Sequence, residues 1–135
     1  MYHGGTGNEG QGTGMVNIIT DENFEQEVMS CDTPCIIEFT AGWCTLCDDM
    51  APVFEQLDEE LSGEVKFCLV NIDEERKLRI RFAVAAVPYI VLVRDGMQTP
   101  LFDMIVSAER LKERIRFVLD GGEAPTTRPL LDIGF

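Results

Sequence analysis

The chain has 135 residues, of which 45% are hydrophobic, and its formal net charge at pH 7 is -13. This length and hydrophobic content suffice for one domain with a single core, whereas the acidic excess argues against binding to the phosphate backbone of nucleic acids. No apolar run approaches the roughly 20 residues that cross a bilayer, and the N-terminus lacks the pattern of a secretory signal. We therefore expect a cytoplasmic protein that binds no nucleic acid and no membrane.

The N-terminal residues are rich in glycine and almost free of apolar side chains, so residues 1–14 are predicted to form a flexible tail. His3, the single histidine, lies in this tail, which argues against a histidine general base. The chain has five cysteines, an odd number that leaves at least one thiol unpaired. In a reducing compartment such thiols are catalytic, bind metal or are buried.

Strands and helices alternate after this tail. Residues 16–19 predict a short strand followed by a helix, and residues 35–40 predict a strand that is apolar on both faces except at Glu38. A long helix should follow, because apolar residues recur there at helical spacing: Met50, Val53, Phe54, Leu57 and Leu61. Pro52 removes a backbone donor inside this helix and should bend its axis.

The second half of the chain predicts three more strands and two more helices. The strands are residues 65–71, 89–93 and 99–105. The last two strands form a hairpin with its turn at Asp95-Gly96. One helix spans residues 74–82, and the final helix follows the capping residue Ser107 and ends at Gly121-Gly122.

This order of elements predicts an α/β fold, βαβαβαββα, in which four helices flank a central, mixed five-stranded sheet. Residues 15–122 would form this domain. The Pro-containing residues 123–135 are predicted to be a mobile C-terminal tail, although their apolar end could dock on the domain or on a partner.

Cys44 and Cys47 are separated by two residues at the start of the long helix, a spacing that allows a disulfide to form and reopen. Unpaired backbone donors and the helix dipole favour a thiolate at a helix N-terminus, so Cys44 is the predicted nucleophile. Cys47, one turn further on, would attack the mixed disulfide. Half of a zinc site is the other interpretation, but tetrahedral zinc takes four ligands and no second strong pair is present, so no metal is expected.

The chain resembles the thioredoxin family over roughly residues 15–122. Trp43-Cys44-Thr45-Leu46-Cys47 matches the active-site motif Trp-Cys-x-x-Cys, and Val87-Pro88 falls where the family has its cis-proline. Glu38 occupies the place of the buried carboxylate, and Pro52 that of the proline in the active-site helix. The resemblance implies a thioredoxin-like fold and thiol–disulfide exchange without a cofactor bound to this chain.

The resemblance also implies a substrate-binding surface. Trp43 flanks and shields the cysteines in the family, although a purely packing role is the alternative. Val87, which precedes Pro88, would present its backbone to a bound peptide. Met104 stands where the family usually has glycine, which would narrow this groove.

Glu38 is the candidate proton acceptor for Cys47, directly or through water, since burial raises the pKa of a carboxyl group. The alternative is a glutamate at a strand edge that faces solvent. The usual lysine partner is replaced, because alignment puts Leu69 at its position. The two acidic residues after Cys47, Asp48 and Asp49, should oppose a thiolate at the start of the helix.

The remaining cysteines have two interpretations. Cys31 and Cys35 could form a regulatory pair around Pro34, but two unrelated, largely buried thiols are the favoured interpretation. Cys68 lies in a predicted central strand and is interpreted as a core residue.

These features predict a monomeric thiol–disulfide oxidoreductase that reduces protein disulfides through Cys44 and Cys47. Its partners would be disulfide-containing proteins and an NADPH-dependent flavoprotein thioredoxin reductase. One alternative is a thioredoxin-fold adaptor that binds a dedicated partner. Another is an oxidase or isomerase in an exported compartment.

Overall fold

The computed structural model of the chain describes residues 16–122 and 126–130. The flexible tail predicted for residues 1–14 lies outside the described residues, as do residues 123–125 and 131–135 of the predicted C-terminal tail. Within the described part, no helix has the length and apolar character needed to cross a membrane.

Within residues 16–122 and 126–130, a six-stranded mixed sheet forms the centre of the domain, with the strand order β1-β3-β2-β4-β5-β6. The strands are β1 (Asn17–Ile18), β2 (Cys35–Thr40), β3 (Lys66–Asn71), β4 (Tyr89–Arg94), β5 (Met97–Phe102) and β6 (Arg128–Pro129). β3 runs parallel to both β1 and β2, whereas β4 is antiparallel to β2 and to β5. The predicted mixed sheet is confirmed, and β2 has the predicted bounds.

The sixth strand corrects the predicted count of five. Arg128 and Pro129 pair with Gln98 and Met97 of β5, and the hydroxyl groups of Thr127 and Thr99 lie 2.7 Å apart. The addition has a physical cause, because β5 would otherwise end the sheet with unpaired backbone groups. The mobility of residues 123–135 stays a prediction.

In the part of the chain that the structure describes, four α-helices and one π-helical segment flank the sheet. They are the π-helical segment Glu25–Met29, α1 (Thr45–Asp48), α2 (Ala51–Glu60), α3 (Arg76–Arg81) and α4 (Ala108–Leu119). The first predicted helix is thus a π-helical turn, and the hydroxyl of Ser107 caps α4 as expected, accepting from the backbone N–H of Arg110 at 3.2 Å.

The long helix after the cysteines is divided in two, which is a correction to the single bent helix predicted there. Pro52 lies in the first turn of α2. A residue with a backbone N–H at this position would donate to the carbonyl of Asp48, the last residue of α1, but proline has no N–H. The two short helices therefore meet at Asp49 and Met50.

The two faces of the sheet each bury a cluster of apolar side chains. The first core cluster includes Phe24, Val28, Cys35, Ile37, Phe39, Cys44, Cys47, Cys68, Leu78 and Phe82. The second core cluster includes Ile36, Met50, Phe54, Leu57, Leu61, Phe67, Ile90, Leu92, Leu111 and Ile115. The π-helical segment and α3 thus cover one face, and α2 and α4 cover the other.

Candidate active site

The two predicted redox cysteines lie at the carboxyl end of β2, where the chain leaves the sheet and enters α1. Cys44 is the N-cap of α1, and Cys47 is the third residue of that helix. The two sulfurs form a disulfide, with 5.3 Å between the Cα atoms. Cys44 is 7% exposed and Cys47 is 2% exposed, so Cys44 is the more accessible of two well-covered sulfurs.

The backbone of α1 donates to the sulfur of Cys44. The N–H of Cys47 lies 3.2 Å from Sγ of Cys44, which is the hydrogen bond that an N-cap side chain accepts. A Cys44 thiolate in this position would accept the same hydrogen bond, and hydrogen bonds to an ionised group stabilise it more strongly than they stabilise the neutral form. The local backbone therefore favours a thiolate at Cys44.

Val87 and Pro88 are joined by the cis peptide bond that the resemblance implied. Pro88 is buried, and the half-buried side chain of Val87 packs against the first core cluster, which also contains both redox cysteines. Val87 and the two redox cysteines thus share one core cluster, although at least 40 residues separate them in the chain.

Three large apolar side chains relevant to the predicted substrate surface are exposed, two of them next to the cysteines in the sequence. Trp43 is 68% exposed and Leu46 is 54% exposed, and Met104 is 60% exposed beyond the end of β5. The purely packing role considered for Trp43 is therefore wrong, since a side chain that packs in the core would be covered. An exposed tryptophan beside the disulfide suits contact with another molecule.

Glu38 is fully buried in the middle of β2, so the alternative of a solvent-facing glutamate is wrong. It shares a strand face with Ile36, and it is paired with Leu69 in the parallel register. Ile36 belongs to the second core cluster, and Leu69 packs against it. The carboxylate thus lies on the face of the sheet covered by α2, the helix that follows the two cysteines.

A cavity of about 490 Å³ opens beside Cys47 at the carboxyl ends of β2 and β3. Its lining is formed by Thr40, Ala41, Gly42, Cys47, Asp48, Ala51 and Asn71. The cavity has room for water next to Cys47, the less exposed redox cysteine.

The three other cysteines lie close together, which the sequence did not predict. Cys35 and Cys68 are buried in the first core cluster, and Cys31 packs against the same cluster. The neighbouring thiols of Cys68 and Cys31 both act to lower the pKa of Cys35. Cys31 and Cys35 are free thiols, one half-buried and one buried, and whether they act together stays a prediction. Among the described residues, no group of three or more His, Cys, Asp and Glu is arranged to hold a metal ion.

Comparisons with known proteins identify the family of this chain. The family model described as Thioredoxin matches residues 15–117 of the chain. A thioredoxin of Rickettsia felis is 34% identical over 84 residues, which cover 62% of this chain and 80% of that protein. A thioredoxin of Rickettsia typhi is 38% identical with the same coverage, and one of Pseudomonas aeruginosa is 35% identical over 78 residues, covering 58% of this chain and 72% of the relative.

Proposed function

Because the chain belongs to the thioredoxin family and is a protein-disulfide oxidoreductase, we propose that it works as a reductant of protein disulfides through Cys44 and Cys47. The observation that carries this proposal is the disulfide at the start of α1, where the backbone N–H of Cys47 faces Sγ of Cys44. When this disulfide is reduced, the thiolate of Cys44 is stabilised, and a stabilised thiolate is suited to attack a disulfide in another protein.

The reaction consumes one substrate disulfide and the two protein thiols. The Cys44 thiolate attacks a substrate sulfur, forms a mixed disulfide and releases the other substrate sulfur as a thiolate, which is protonated to a thiol. Cys47 then gives up its proton and attacks Sγ of Cys44, which releases the second substrate thiol and closes the Cys44–Cys47 disulfide. We assign the acceptance of the Cys47 proton to the buried Glu38, directly or through water, for which the cavity beside Cys47 has room.

The substrate chain rests, in this proposal, on Trp43 and on the segment Val87-Pro88. The exposure of Trp43 and the packing of Val87 against the cluster that holds both cysteines support this placement. Backbone groups of Val87 would hydrogen-bond an extended peptide, which gives affinity with little dependence on its sequence. Met104, exposed after β5, would form one side of the groove.

The oxidised protein must be reduced again, and we assign this step to an NADPH-dependent flavoprotein thioredoxin reductase, with no cofactor held by this chain. We place the protein in the cytoplasm as a monomer. Its three cysteines outside the Cys44–Cys47 disulfide suit a reducing compartment, since disulfides persist mainly where the surroundings are oxidising. Residues 15–122 would act as one domain, with the remaining residues as tails.

A turnover assay with a disulfide-linked protein such as insulin tests the proposal. The wild-type protein should accelerate reduction by dithiothreitol, and Cys44→Ser should abolish the acceleration. Cys31→Ser is the matched control, because it changes a half-buried cysteine outside the site and should leave the rate unchanged. An unchanged rate in Cys44→Ser would instead favour an adaptor in which the cysteines are ancillary.

A further inference from the structure

Three thiols outside the active site meet where the chain enters β2. Cys35 is the first residue of β2, Cys68 lies in β3 beside it, and Cys31 lies in the irregular segment between the π-helical segment and β2. All three contact the first core cluster. The fold thus concentrates reactive groups that no part of the exchange reaction at Cys44 and Cys47 uses.

Cys31 and Cys35 lie against one common residue. Sγ of Cys31 is 3.4 Å from the hydroxyl of Thr33, and Sγ of Cys35 is 3.9 Å from the backbone carbonyl of Thr33. The thiol of Cys31 also acts to lower the pKa of Cys35, as a nearby polar group does. Their sulfurs are therefore neighbours already in the reduced state.

The geometry of the sheet decides which pair can form a disulfide. Cys68 is paired with Ile37, two residues along β2 from Cys35. A strand rise of about 3.3 Å per residue and a strand spacing of about 4.8 Å put such diagonal Cα atoms about 8 Å apart. Disulfides need Cα atoms within about 7 Å, and hydrogen-bonded strands cannot shift to shorten the distance. Cys31 lies outside regular structure, so its backbone can move towards Cys35.

Solvent exposure and nearby charge suit Cys31 and Cys35 to different roles in forming a disulfide. Cys31 is half-buried and reachable from solvent, whereas Cys35 is buried. The hydrogen bond with Cys68 lowers the pKa of Cys35 against the effect of burial, and the nearby charge of Lys66 acts in the same direction as Cys68. Burial raises the pKa of Cys68 well above its usual value, so Cys68 serves as the donor within this group.

We propose that Cys31 and Cys35 form a second redox site, which low-molecular-weight disulfides such as glutathione disulfide oxidise independently of Cys44 and Cys47. The Cys31 thiolate attacks glutathione disulfide, forms a mixed disulfide and releases one glutathione thiolate. The Cys35 thiolate then attacks Sγ of Cys31, forms the Cys31–Cys35 disulfide and releases the second glutathione. Two protein thiols are oxidised, and one glutathione disulfide is reduced to two glutathione molecules.

Peptide mapping of the double variant Cys44→Ser/Cys47→Ser tests this proposal without the active site. Residues 1–65 contain no Lys or Arg, so trypsin leaves Cys31 and Cys35 together in the peptide that ends at Lys66, while Cys68 falls in the next peptide, residues 67–76. After incubation with glutathione disulfide, the first peptide should lose two hydrogens and resist alkylation. The second peptide should stay alkylatable.

Two further variants in this background sharpen the result. Cys31→Ser should leave Cys35 reduced, whereas Cys68→Ser should still give the Cys31–Cys35 disulfide, formed more slowly because Cys35 loses a hydrogen-bond donor. Circular dichroism of each variant confirms that it is folded. A stable glutathione adduct on Cys31, a cross-link between the two tryptic peptides, or two thiols that stay alkylatable would each overturn the proposal.

Discussion

Glu38 lies directly opposite Leu69 in the parallel register of β2 and β3. The position at which the thioredoxin family commonly has a lysine thus carries an aliphatic side chain, as the sequence alignment indicated. Glu38 is fully buried and Leu69 packs against the second core cluster. The strand position opposite Glu38 therefore supplies no charge to its carboxylate.

The first prediction concerns the proposed proton acceptor. Glu38→Gln keeps the size of the side chain but removes its ability to accept a proton at physiological pH. Since general base catalysis typically contributes at least a hundredfold, we expect protein-disulfide reduction to slow by about tenfold or more. Stopped-flow measurement of the Cys47 step, with thermal unfolding as the control for folding, checks this. Wild-type rates in a folded variant would exclude Glu38 from the reaction.

The second prediction separates the two active-site thiols. In Cys47→Ser the more accessible Cys44 can still attack a substrate disulfide, but no thiol remains to release it. A covalent complex between Cys44 and the substrate should accumulate and disappear with dithiothreitol. Non-reducing electrophoresis and mass spectrometry detect it, and Cys44→Ser is the matched control. A complex formed equally through Cys47 in Cys44→Ser would contradict the assigned roles.

The third prediction concerns the width of the substrate groove. Met104 is 60% exposed, so Met104→Gly removes a large side chain without opening the core. We expect a higher kcat/KM for protein disulfides and an unchanged rate with a small aromatic disulfide, since only the larger substrate meets the groove wall. Equal rates of wild type and variant with the protein substrate would remove Met104 from the groove.

The fourth prediction concerns the ion pair of Lys66 beside the thiol cluster. Nζ of Lys66 lies 2.7 Å from Oε1 of Glu27 and 2.8 Å from the backbone carbonyl of Glu27. Burial acts to lower the pKa of Lys66, but the hydrogen bond to Glu27 and the neighbouring groups, Cys68 and Cys31 among them, raise it above the usual value of 10.5. A raised pKa means that the folded state holds the proton more tightly than the unfolded state.

The stabilisation from Lys66 should therefore be complete below pH 10.5 and disappear as the pH rises through the folded-state value. Lys66→Met should lower the free energy of unfolding by about 1–3 kcal/mol near pH 8, and this difference should shrink as the pH rises beyond 10.5. Urea unfolding across this range measures it. Lys112→Met, which removes the exposed ion pair with Glu60, is the control and should change stability by less than about 1 kcal/mol. A difference that grows with pH would contradict the sign.

Local sequence predicted those parts of the fold that depend on short stretches. β2 was predicted with its observed bounds because a continuous apolar run follows Pro34. The division of the helix after the cysteines was predicted only in part. Pro52 indicated an irregular helix, but its missing N–H is compatible with either a bend or a break, so the sequence did not distinguish the two. Nothing in the apolar spacing around Val28 distinguishes a π-helical turn from an α-helix.

The contacts that were missed depend on the tertiary fold. Cys35 and Cys68 meet because β2 and β3 pair in one register, and no local pattern fixes that register between segments separated by two helices. β6 forms because β5 offers an open edge, although Arg128 and Pro129 have no strand pattern of their own. The positions of Glu38 and Pro88 relative to the cysteines came from the resemblance and not from periodicity.

The reduction potential of the Cys44–Cys47 pair tests the proposed direction of the reaction most directly. Equilibration of the Cys31→Ser variant in glutathione or dithiothreitol buffers, followed by alkylation and mass spectrometry, measures this pair without interference from the second site. A reductant of cytoplasmic proteins should have a potential more negative than about -260 mV, below the glutathione pool. A value at or above about -260 mV would contradict the reducing role and favour an oxidase or isomerase.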